Sequence, residues 1–94
     1  MAFVAPEEEK IMATILYYLR RKKVIGGVHT PFDNLKKGFP SHLGKEVLKI
    51  AKYLIKEGFL LTKPAFYGLQ VSLNKEKIKE IDQNILRVLG LKLE

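Results

Sequence analysis

Residues 41 to 57 constrain this chain more than any other stretch. Leu43, Val47, Ile50, Ala51 and Leu54 fall within one sector of a helical wheel. Lys45, Lys49, Lys52 and Lys56 fall opposite, at about 140° to 200° from Val47 when each residue advances 100°. A helix with that pattern must bury one side and solvate the other. Its limits are written beside it: Ser41 is an N-cap residue, and Gly58 suits the left-handed position just past a helix C-terminus. Upstream, Thr30 reads as a cap with Pro31 at the first helical position, which predicts a short helix over 30–37. Gly38 ends that helix, and Phe39-Pro40 forces a tight turn into the next one. Two helices joined by so short a turn form a helix-turn-helix.

The flanking segments complete an α+β pattern. Pro6, the acidic run Glu7-Glu8-Glu9 and the basic run Arg20 to Lys23 match the two ends of a helix dipole, and predict a helix over 6–23. Ile11, Met12, Ile15, Leu16 and Leu19 give that helix one apolar side. Val24 to Val28 reads as a brief strand. Phe59–Thr62 and the alternating Leu69–Leu73 predict a hairpin over 59–73. Asn74 caps a last helix over 75–89, whose Ile78, Ile81, Ile85 and Val88 form a narrow seam.

The order helix, short strand, helix, turn, helix, strand, loop, strand, helix resembles the winged helix-turn-helix superfamily over about residues 8 to 90. The stretches IGGVHTPFDNLKKGFPSHL and YGLQVSLN are also similar to small archaeal winged-helix proteins without an assigned function. The resemblance implies a three-helix core, a small antiparallel sheet whose hairpin is the wing, and an additional C-terminal helix. It also implies that residues 41–57 form the recognition helix presented to the major groove. The wing would touch the minor groove or backbone through Lys63, Tyr67 and Gln70.

The charge distribution points the same way. Ninety-four residues make one domain, with a formal charge of +7. Residues 20 to 63 hold eleven basic side chains against Asp33, Glu46 and Glu57, a balance of +8, while the remainder stands at −1. Such a concentrated field attracts phosphate. The expected nucleic-acid contacts are Lys36 and Lys37, then Ser41, His42, Lys45, Lys49, Lys52 and Lys56, together with the wing residues. Directional contacts rest on Ser41, His42, Lys45 and Asn34. Lysine is a mobile point charge, whereas base reading usually needs the planar forks of Arg, Asn or Gln. The expectation is therefore a grip on duplex DNA dominated by phosphate, with modest sequence preference, in a transcriptional regulator or an architectural factor. Fourteen Lys beside three Asn and two Gln is also a hyperthermophile-like bias.

Other chemistries find little support. The chain has no cysteine, so thiol catalysis, disulfides and Cys-ligated metal centres are excluded. His29 and His42, thirteen residues apart with few acids near, do not form a metal site. Ser41 and Ser72 lack a paired base and acid, and Gly26-Gly27 lacks the remainder of a phosphate-loop motif. No enzyme activity, cofactor or metal is expected. The short apolar runs and the acidic start, MAFVAPEEEK, predict a cytoplasmic protein with no membrane span. No separate sensor domain offers a small-molecule pocket.

Two other partner classes fit the same residues. One is structured RNA, met by the same basic surface; the other is an acidic protein in a larger assembly. The outer helices allow two arrangements: they pack on each other within one chain, or Tyr17, Ile78, Ile81, Ile85 and Val88 are buried between two copies of a homodimer, so that two recognition helices meet successive major grooves.

Overall fold

The computed structural model describes residues 6–66 and 68–92. Its class is α+β, with three α-helices and a three-stranded antiparallel sheet. The helices are α1 (Pro6–Arg21), α2 (Gly44–Lys56) and α3 (Ile78–Leu89). The strands are β1 (Thr30–Pro31), β2 (Leu60–Ala65) and β3 (Gly68–Leu73), in spatial order β1-β3-β2.

The core is built where the apolar sectors meet. Ile15, Leu16 and Leu19 of α1, Val47, Ala51 and Leu54 of α2, Leu60, Val71 and Leu73 of the sheet, and Ile81 and Ile85 of α3 form one buried cluster. Two ion pairs tie α1 to α3 along their antiparallel contact. Arg20 donates from Nε to Asp82 Oδ1 at 2.9 Å and from Nη2 to Oδ2 at 3.2 Å, a fork-to-fork geometry, and Arg87 pairs with Glu9.

The seam of α3 therefore faces inward. Ile81 and Ile85 are 0% exposed within one chain, and Ile78 packs against the same cluster. Ile81 and Ile85 are thus committed to the core of one chain, whereas Ile78 is only partly buried. Tyr17 and Val88 are half-buried, and the exposed apolar side chains of this helix end are Leu86 and Leu91.

Several expectations of local structure are altered. The helix over 30–37 is instead the two-residue strand β1 followed by a 3₁₀ helix at Phe32–Lys36. Proline-bounded segments this short favour three residues per turn, which also stacks Phe32 above Leu35. Thr30 is no backbone cap; its Oγ1 accepts from the Asn34 side-chain amide at 3.3 Å. The strand over 24–28 shrinks to a single bridge between Ile25 and Leu73, because Gly26 takes a φ of 63° and the chain turns there. Ser41 makes no capping hydrogen bond either: it opens a 3₁₀ turn, Ser41–Leu43, that leads into α2.

Helices α1 and α2 end in the same way with different residues. After α2, Gly58 has a φ of 83°, and Phe59 N–H donates back to Leu54 O at 3.0 Å. After α1, Lys23 has a φ of 57°, and Val24 N–H donates back to Leu19 O at 3.0 Å. Both are Schellman-type stops, in which glycine is the favoured residue. A side chain in the left-handed region costs about 1–2 kcal/mol, and Lys23 bears that cost because the basic run of α1 continues past Arg21 into the turn. Lys23→Gly is expected to raise stability by about 1 kcal/mol, read as a higher urea midpoint at unchanged slope. A midpoint at or below wild type would show that the lysine bears this turn without cost.

Candidate nucleic-acid interface

Helix α2 is divided as its sequence pattern predicts. Val47, Ile50, Ala51 and Leu54 are buried, whereas Lys45, Lys49, Lys52 and Lys56 are exposed on the other side. Lys49 Nζ lies 3.9 Å from Glu8 Oε2 of α1, with the lysine side chain 72% exposed. An ion pair so solvated is worth at most about 1 kcal/mol, so Lys49 can exchange the carboxylate for a phosphate at little cost. At the edge of the lysine stripe Tyr53 is half-buried, and desolvation together with the Glu57 carboxylate raises its phenol above the ordinary value of 10.0. It therefore stays a neutral hydroxyl throughout the physiological range.

The start of α2 gathers a second set of basic groups. A cleft of about 510 Å³ is lined by Lys36, Lys37, Phe39, Ser41, Gly44, Lys45 and Leu48. Lys36 reaches it by running along the first turn of α2: a Cβ placed on Gly44 would lie 3.7 Å from Lys36 Cδ, an ordinary contact. The fold thus brings Lys36, the last residue of the 3₁₀ helix, and Lys37, just after it, beside Ser41 and Lys45. His42 is exposed on the adjoining turn. Asn34 is committed within the fold through Thr30, so it is not a free directional group.

The hairpin is a separate contact element. Register runs from Leu60↔Leu73 to Ala65↔Gly68 and sets Lys63 directly across from Gln70. Lys63 is exposed and Gln70 half-buried; Tyr67 lies outside the described residues. Pro64 is accommodated because β2 is an edge strand with no further partner to receive its missing N–H. Phe66, at the hairpin tip, has a relative exposure of 104%.

A further cleft, of about 590 Å³, lies between α1 and the turn before α2. Thr14, Tyr17, Tyr18, Arg21, Lys22, Leu35, Gly38 and Phe39 line it. Arg21 Nη1 donates to Tyr17 Oη at 3.0 Å, and Lys22 Nζ sits 5.5 Å from the centre of the Tyr18 ring. Among the described residues no group of three or more His, Asp or Glu could hold a metal ion, and no helix is long and apolar enough to cross a membrane.

Comparison with protein-family models, with curated proteins and with solved structures gives no match to this chain.

Proposed function

We propose that this chain is a winged helix-turn-helix protein that binds duplex DNA, as a regulator of transcription or an architectural factor. The observation that carries this reading is the row of four exposed lysines on α2, opposite a fully buried apolar side. The order of elements supports the fold assignment: helix, short strand, short helical turn, helix, then a hairpin whose second strand lies centrally between β1 and β2. Lys36 and Lys37 extend the row past the start of α2, and Lys63 with Gln70 supplies a polar contact on the wing. Backbone phosphate is the ligand that suits such a set. The exposed groups are nearly all ammonium ions, which neutralise phosphates without reading base edges.

The test is an electrophoretic mobility shift with duplex DNA, single-stranded DNA and RNA at two salt concentrations. Duplex binding that neutralises about six phosphates gives a slope of log K against log salt near −5. Affinity should then fall about a thousandfold for a fourfold rise in salt. Unrelated duplex sequences should compete within about tenfold of one another. Binding unchanged between the two salts would reject the proposal. A shift confined to RNA would transfer the surface to an RNA ligand, and no shift at all would leave an acidic protein as the partner for this face.

A further inference from the structure

We infer that Phe66 is a wedge that enters between base pairs of bound duplex DNA, unstacking one step and bending the helix. This inference rests on the duplex-binding proposal and specifies how the wing would take part in it.

The first observation is exposure. Phe66 is at 104%, whereas the next most exposed large apolar side chain among the described residues, Val28, is at 55%. The ring contributes nothing to the core, so packing does not account for it. The second is position. Phe66 lies between the last β2 residue, Ala65, and the first β3 residue, Gly68, which pair with each other. Glycine, asparagine and aspartate are the residues that favour such a connection. An aromatic ring here therefore serves neither the turn nor the fold.

The third observation is what stands behind the ring. Pro64 pairs with Leu69, itself 41% exposed, and the next pair inward is Lys63 with Gln70. The hairpin is thus an apolar point followed by a cation and an amide. A duplex offers the matching sequence of surfaces, stacked bases within and phosphates at the rim. Apolar wedges such as Phe and Leu kink duplexes by about 20–90° when they enter from the minor groove. Pro64 fixes one backbone angle just before the tip and so limits the freedom lost on insertion.

The experiment uses the full chain with a duplex of about thirty base pairs, labelled at its two ends with a fluorescence donor and acceptor and containing flexible TA steps. Wild type should bind and shorten the end-to-end distance. Phe66→Ala should bind about tenfold more weakly and leave the duplex straight, and Phe66→Leu should restore both. Because the ring touches no core residue, both variants should keep the wild-type melting temperature. If Phe66→Ala binds and bends like wild type, the wedge is wrong while the lysine surface stands. If wild type does not bind duplex at all, both proposals fall. Phe66-dependent binding to phosphatidylserine vesicles, with duplex binding unaffected by Phe66→Ala, would assign the tip to a membrane surface and also overturn the wedge.

Discussion

Replacing Lys45 and Lys49 together by glutamate is expected to abolish the duplex mobility shift while leaving the fold intact. The two changes remove four units of positive charge from one side of α2 and take the formal charge from +7 to +3. Each lost phosphate contact lowers the salt slope by about one, and two new carboxylates beside the phosphates add repulsion. The affinity loss at low salt should be at least about a hundredfold. The folded state has little to lose. Both lysines are exposed, and Glu at position 45 sits in the first turn of α2, where the helix dipole favours an anion. At position 49 the Glu8 pair becomes a repulsion, a change of at most about 1 kcal/mol between solvated groups. Circular dichroism and a thermal melt should therefore look close to wild type. A folded variant that retains the wild-type shift would place the contact surface away from α2.

The reversal is interpretable because α2 was legible before any coordinates. Its apolar residues lie in one sector, so burial follows from periodicity alone, and Gly58 marks where the helix must stop. The hairpin was legible from the alternation of Leu69 to Leu73, although burial in β3 is continuous over Val71, Ser72 and Leu73 and leaves Leu69 41% exposed. Asn74 also caps, accepting from Glu76 N–H at 3.1 Å. What it opens is a 3₁₀ turn, Lys75–Lys77, so that the helix expected over 75–89 becomes that turn followed by α3. Asn74 donates to Gly58 O at 2.9 Å as well. That second bond joins the end of α2 to the start of α3, a long-range link that no local pattern announces.

What escaped the sequence depended on backbone choices and on partners distant in the chain. Val24 to Val28 has the composition of a strand, but the positive φ of Gly26 turns it after one bridge. Thr30-Pro31 has the composition of a helix start, yet β3 captures both residues opposite Val71 and Gln70. Arg20 counts toward the positive stretch by position, whereas in space its guanidinium is held by Asp82 and belongs to the packing of α1 on α3. An aromatic in a hairpin usually folds back onto the sheet, whereas Phe66 stands 104% exposed at the tip.

The seam of α3 gives the second large effect. Periodicity shows that Ile78, Ile81 and Ile85 share a side, but not whether that side meets α1 of the same chain or a second copy. In the fold Ile85 is 0% exposed within the monomer core, and ion pairs from α1 hold the helix down on both sides of it. Ile85→Ala should therefore cost about 3 kcal/mol through lost transfer energy and a residual cavity. That is a large share of the roughly 5–15 kcal/mol available to a domain of this kind. At about 4–8 °C per kcal/mol the melting temperature should fall by more than about 10 °C. The depression should be the same at protein concentrations about fortyfold apart, because a core residue stabilises without mass action, whereas an interface residue makes melting concentration-dependent. If Ile85→Ala instead melts like wild type and lowers the sedimentation coefficient, the seam belongs between two chains and the inward packing of α3 is wrong.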